Sequence, residues 1–171
     1  MNKDLWRRLV GAITLVFLIN QGQTAYSANG LTDLEGDPAN FSDYVPADRW
    51  LVVVIWSWTC PICAQEMAGH AQLHEHHRNG RLALLGISID GEEGILEAWA
   101  FVEEHNVTFP NLIGQAQDVA NFFFDQTGQG FQGTPTLMVY APGGQLKAVQ
   151  AGAVPPEGIE VFIDHQENTG G

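Results

Sequence analysis

The sequence predicts an α/β domain built on a central mixed sheet flanked by helices. Three observations carry that expectation. Two apolar runs, Leu51–Trp56 and Arg81–Ile89, have no polar alternation and read as strands covered on both faces. A helical pattern follows each of them, and strand, helix, strand, helix implies parallel pairing through a right-handed crossover. Further on, Thr136–Tyr140 and Gln145–Gln150 flank Ala141-Pro142-Gly143-Gly144, which reads as an antiparallel hairpin.

Taken in order, the chain begins with what reads as an export signal over residues 1–27. Lys3, Arg7 and Arg8 precede an apolar stretch from Leu9 to Ile19, and Ala25-Tyr26-Ser27 offers small-x-small spacing for cleavage. That stretch is short for a membrane span of about 20 residues, so an uncleaved anchor is the alternative. Residues 28–171 are the size of one domain, with no linker and no internal repeat. Within it, Asn29–Val45 is turn-rich and predicts a β-hairpin or edge extension laid against the core. A helix is expected from near Pro61 to about Arg78, where Asn79-Gly80 stops it. Asp90-Gly91 ends the second strand. Ile95–His105 carries Ile95, Leu96, Trp99 and Val102 at helical spacing. Phe109–Ile113 reads as a short strand and Ala116–Phe124 as a short helix. A last helix, from about Pro156 to Gln166, leaves Glu167–Gly171 frayed.

The chemistry is concentrated where the first strand meets the first helix. Trp56-Ser57-Trp58-Thr59-Cys60-Pro61-Ile62-Cys63 holds the two cysteines of the chain. Thiols three positions apart at a helix start lie on one side of the first turn and can close a reversible disulfide. The unpaired N–H groups and positive dipole end of a helix favour a thiolate on Cys60. Pro61 suits the first helical position, which needs no N–H. Cys63, one turn in, is expected to be less exposed and to act as the resolving thiol. Half of a zinc site is a competing reading, but four ligands are needed and there is no second cysteine pair. An inert bridge is another, although so short a loop constrains the unfolded chain little.

Three motifs in this order resemble the thioredoxin fold, and more narrowly the exported thioredoxin-like proteins of the TlpA/ResA/DsbE type. They are Cys60-Pro61-Ile62-Cys63 after a buried strand, Glu66-Met67 beyond the second cysteine, and Gly133-Thr134-Pro135-Thr136 opening the hairpin strand. The resemblance implies a thioredoxin fold with an N-terminal β extension and a central αβ insertion over Gly94–Ile113. It implies a cis Pro135 beside the cysteines, with Thr134 pairing to the backbone of an extended client. Pro61 and Trp58 complete the expected client contacts. It also implies an acidic residue near the sulfurs, placed at Glu93 with Glu92 as the alternative, to accept a proton from Cys63 if burial raises its affinity for one. Thr59 stands where the family has Trp, a feature similar to the methylamine dehydrogenase maturation (MauD) type, and Ala68-Gly69 replaces the proline that follows Glu-Met.

His70, His74 and His77 share a helical face with Cys63 and Met67, and histidines at i, i+4 can chelate a metal. Packed helix-face filler is the simpler reading, and no metal ligand is assigned. The net charge of −13 disfavours nucleic acid as a partner. The expected function is a periplasmic thiol–disulfide oxidoreductase, monomeric, with no cofactor beyond the Cys60–Cys63 disulfide. It would reduce client disulfides in cytochrome c or metalloenzyme maturation and be recharged by a membrane electron donor of thiol-relay type. Its alternatives are a disulfide oxidase or isomerase, a copper-binding chaperone using both cysteines and a histidine, and a peroxidase.

Overall fold

The computed structural model describes residues 30–169, so the expected export signal lies outside the described residues. Among these, six strands form one sheet: β1 (Thr32–Asp33), β2 (Trp50–Trp56), β3 (Leu82–Ser88), β4 (Asn111–Ile113), β5 (Thr136–Tyr140) and β6 (Leu146–Ala151). Their order is β1-β4-β3-β2-β5-β6. The β2/β3 and β3/β4 pairs are parallel, and β1/β4, β2/β5 and β5/β6 are antiparallel. Helices α1 (Pro61–His76), α2 (Ile95–Glu104), α3 (Ala116–Thr127) and α4 (Pro156–Thr169) cover the two faces. None of them is long and apolar enough to cross a membrane.

The unbroken apolar run of β2 follows from its place between β3 and β5, with both faces dry. Every residue of the strand is buried. Trp50, Val52, Val54 and Trp56 join one core with Met67 and Leu73 of α1, Phe101 of α2, and Ile159 and Ile163 of α4. Leu51, Val53 and Ile55 join the other, with Phe41 and with Val119, Phe122 and Phe123 of α3. Each such aliphatic side chain contributes about 1.5–3 kcal/mol by leaving water. A polar residue on either face of β2 would forfeit that gain.

The far end of β2 is fastened by one polar contact inside this core. Trp56, fully buried, stacks on Phe101 with ring centroids 4.6 Å apart and donates its indole N–H to Asn111 Oδ1 at 3.0 Å. Asn111 in turn donates to the Phe109 carbonyl at 2.9 Å. Gly86 is required beneath them, because a Cβ there would collide with the Asn111 amide and approach Trp56 Nε1 to 2.9 Å.

Of the two expected alternatives, the segment before β2 is the edge extension: it supplies the edge strand β1 and a 3-10 turn, Phe41–Tyr44. Phe41 enters the core there, 5.0 Å from the Phe122 ring and 5.4 Å from that of Tyr140. On α2 the buried stripe is Ala98, Phe101 and Val102, and Leu96 is 75% exposed. Ala98, Phe101 and Val102 stand at i, i+3 and i+4 and so share the buried face, while Trp99 is 36% exposed and donates its indole N–H to the Leu34 carbonyl at 2.9 Å. Helix α3 runs one turn further than expected, to Thr127, and stops at left-handed Gly128, whose N–H bonds Phe124 O at 2.7 Å. Helix α4 continues to Thr169 because Glu167 is tethered, accepting from Trp50 Nε1 at 2.9 Å and pairing with Arg81 at 2.9 Å.

A capped dithiol as the candidate active site

Between β2 and α1 the chain makes a short, heavily bonded turn. Asp90, just past β3, accepts the Ser57 hydroxyl at 2.5 Å, the Trp58 N–H at 3.0 Å and the Ser88 hydroxyl at 2.6 Å. The Thr59 N–H donates to Ser57 Oγ at 3.2 Å, and the Cys60 N–H to the Ser57 carbonyl at 3.1 Å. The parallel pairing of β2 with β3 brings Asp90 to this turn, so the sheet itself fixes the approach to the cysteines.

Cys60 is the N-cap of α1, with extended backbone angles (φ −88°, ψ 109°), and Pro61 follows in the first turn. Its Sγ accepts the N–H of Cys63 at 3.1 Å. The two residues are joined by a disulfide, with Cα atoms 5.2 Å apart. Cys60 is 9% exposed and Cys63 2%, so the capping sulfur is the one nearer to solvent. Around it Trp58 and Ile62 are 44% and 46% exposed and Pro61 is also open, giving an apolar rim at the mouth of the dithiol.

The Thr134–Pro135 peptide is cis. Because Ile55 pairs with Thr136 in the β2/β5 ladder, Pro135 sits at the end of the sheet from which the cysteine turn departs. Pro135 is buried and its carbonyl accepts from Gly152 N at 2.8 Å. Thr134, half-buried, makes no backbone hydrogen bond among the described residues.

Glu93 does not take the place expected of it. It lies with Glu92 in the 3-10 turn Glu92–Gly94, both side chains are exposed, and neither bonds the dithiol. The burial on which a proton-accepting role depended is absent. The carboxylate on the Cys63 side is Glu66, one turn along α1, where i, i+3 spacing brings Cβ atoms to about 5–6 Å. Its Oε2 is buried without a hydrogen-bond partner. Glu66 was visible in the sequence as half of the Glu66-Met67 motif, and its spacing from Cys63 was the available signal. Asp90 gave none beyond a strand-ending turn, since its role depends on which strands are neighbours.

The three histidines on α1 diverge. His70 is 1% exposed, with Nε2 bonded to the Val154 carbonyl at 3.1 Å and Nδ1 buried without a partner. Burial holds its pKa below the ordinary 6.5, against the opposing pull of the Val154 carbonyl and of Glu66. His74 packs edge-on to Phe109 at 5.8 Å and is likewise shifted down, first by burial. His77 pairs with Glu160 at 2.9 Å. These side chains go to three different neighbours and form no common site.

Two cavities, of about 190 and 290 Å³, lie elsewhere; neither is lined by a cysteine. The dithiol instead borders the exposed rim formed by Trp58, Pro61 and Ile62.

The AhpC/TSA family profile matches residues 22–149. No curated protein matches the sequence. Among solved structures, the chain is similar to a secreted Mycobacterium tuberculosis disulfide oxidoreductase homologous to E. coli DsbE, with 17% identity, TM-score 0.62, and 78% of this chain and 92% of that one covered. It is similar to a thioredoxin-related protein from Neisseria meningitidis serogroup B at 18% identity, TM-score 0.66, covering 81% and 98%. StoA from Bacillus subtilis matches at 14% identity, TM-score 0.58, covering 80% and 98%. The fold is thereby thioredoxin-like, with the Cys60–Cys63 pair at its helix start.

Proposed function

The chain belongs to the AhpC/TSA family, and from the capped dithiol it carries we propose that it is an exported thiol–disulfide oxidoreductase that reduces specific client disulfides. One observation carries this reading above the others: Cys60 Sγ sits at the start of α1 as the acceptor of the Cys63 N–H. A sulfur in that position has its negative charge stabilised by a helix N-terminus.

In the reduced form, the Cys60 thiolate attacks one sulfur of a client disulfide. A Cys60–client bond forms, and the other client sulfur leaves as a thiolate and takes up a proton. Cys63 then loses its proton and attacks Cys60 Sγ, breaking the mixed disulfide and forming the intramolecular bond. The client sulfur released from Cys60 leaves as a thiolate and is protonated in turn. The client thus gains two electrons from the dithiol and two protons, one given up by Cys63 and one from the water that took the Cys60 proton when its thiolate formed. Glu66, on the Cys63 face of α1, accepts the second proton in place of Glu93. Thr134 offers backbone groups to an extended client segment beside cis-Pro135, and Trp58, Ile62 and Pro61 provide its apolar contact.

Such a reductase outside the cytoplasm needs electrons from a membrane thiol-relay protein, and its clients are proteins under maturation, such as an apocytochrome c or a metalloenzyme. The deciding experiment is the equilibrium potential of the pair against glutathione or dithiothreitol. A value at or below the thioredoxin level of about −270 mV is expected; one near the DsbA level of about −120 mV would make the protein a disulfide donor and reverse the assigned direction.

A further inference from the structure

We propose that the junction of α1 and α4 is a binding site for one divalent transition-metal ion of the zinc type, held by His76, His77 and Glu160. The site lies outside the dithiol and uses no sulfur.

The geometry arises from the way α1 ends. Adjacent residues in a continuing helix point about 100° apart. His76 is the last helical residue, and His77 leaves the helix with φ −104° and ψ 16°. This turns its ring beside that of His76, with centroids 4.8 Å apart and planes nearly perpendicular. Gly80 makes room for the turn, since a Cβ there would lie 3.0 Å from His77 Nδ1. The Nε2 edge of His77 is thereby directed to α4, where it meets Glu160 Oε1 at 2.9 Å. One ligand atom from each of the three residues lies within 4.8 Å of the others.

Two imidazoles and one carboxylate form a donor set that suits zinc and similar ions, with a fourth position left for water. Donor atoms of a tetrahedral zinc site are about 3.3 Å apart, given metal–ligand distances of about 2.0–2.1 Å. The His77–Glu160 pair is already that close. His76 is exposed, and rotation of its side chain would close the remaining gap. The neighbouring cations do not compete for Glu160: Arg81 is held by Asp164 and Glu167, and Arg78 by Glu75. A net charge of −13 further favours a cation. Helix α1, with its 16 residues, spans about 24 Å, so the site stands at the opposite end of the helix from Cys60.

The test is calorimetric titration of the untagged, oxidised protein with Zn²⁺, in parallel with the unfolding midpoint with and without the ion. One Zn²⁺ per chain and a raised midpoint are expected, unchanged when Cys60 and Cys63 are both serine. His76→Gln and Glu160→Gln each remove a proposed ligand and should weaken binding by at least about a hundredfold, because loss of a residue that merely supports a ligand already costs about 10–100-fold. Glu160→Gln keeps a hydrogen-bond acceptor for His77, and circular dichroism checks that each variant is folded. His165→Gln, on α4 but outside the cluster, should bind as the parent does. Absence of binding, equal binding in all variants, or binding that requires the cysteines would each overturn the assignment.

Discussion

Cys60 Sγ accepts the Cys63 N–H at 3.1 Å, so the same two residues are joined once through sulfur and once through the backbone. The arrangement makes the thiols unequal. Cys60 holds the capping position and faces the apolar rim, whereas Cys63 is nearly without solvent contact. Cys63→Ser should therefore accumulate a mixed disulfide between Cys60 and a client peptide, stable until an external thiol is added. Cys60→Ser should form none. Non-reducing electrophoresis with mass spectrometry reads both, and trapping through Cys63 instead would reverse the assignment of attacking and resolving thiols.

Glu66 is the residue to which we assign the proton of Cys63, a thiol that water scarcely reaches. Glu66→Gln preserves size but removes the basic function, so resolution of the mixed disulfide should slow by about a hundredfold, the low end of general base catalysis. The first attack, by Cys60, should keep its rate. Stopped-flow measurement across pH separates the two steps. An unchanged resolution rate and pH profile would show that water or another group deprotonates Cys63, and Glu93→Gln makes the matching control, with no effect expected.

Burial holds His70 neutral to lower pH than its ordinary 6.5, with Glu66 and the Val154 carbonyl pulling in the opposite direction. Below 6.5 the unfolded chain binds a proton that the folded chain resists. Stability is thus full above that pH and falls as the solution is acidified, by at most about 1.4 kcal/mol per pH unit for one proton. Replacing the imidazole with an amide, His70→Gln, leaves a donor for Val154 and should flatten the dependence, the remainder being His74. Urea unfolding at pH 7.5 and 5.5 measures the slope. An identical slope in the variant would mean that His70 does not govern acid stability.

The sequence disclosed what local chemistry determines. The twice-covered strand β2 showed as an unbroken apolar run, the hairpin as a Gly-Gly turn, and the dithiol as the two cysteines of the chain. It did not disclose groups whose role depends on which elements are neighbours. Asp90 supports the cysteine turn only because β3 lies parallel to β2. His77 meets Glu160 only because α4 returns across α1, 83 positions later in the chain. Helical periodicity grouped His77 with His70 and His74, and it could not foresee that the helix would end at His76 and turn that ring away. The resemblance placed the acidic residue at Glu93, whose side chain is exposed in the 3-10 turn Glu92–Gly94.

The packing under Trp56 gives a stringent check on the fold that delivers the dithiol. Asn111→Ala removes the acceptor of the Trp56 indole N–H and leaves it buried, which should cost about 1–3 kcal/mol. Gly86→Ala should also destabilise, because the new methyl group meets the Asn111 amide. The two changes are coupled through one small volume: once the amide is gone, the severest clash of the methyl group is relieved, and the Trp56 indole nitrogen at 2.9 Å is the remaining neighbour that must shift. The double variant should therefore lose less than the sum of the single losses, by about 0.5–3 kcal/mol, the coupling expected of residues in contact. Urea denaturation of the four proteins closes the cycle. Strictly additive losses would mean that the Asn111 side chain is not what restricts residue 86 to glycine.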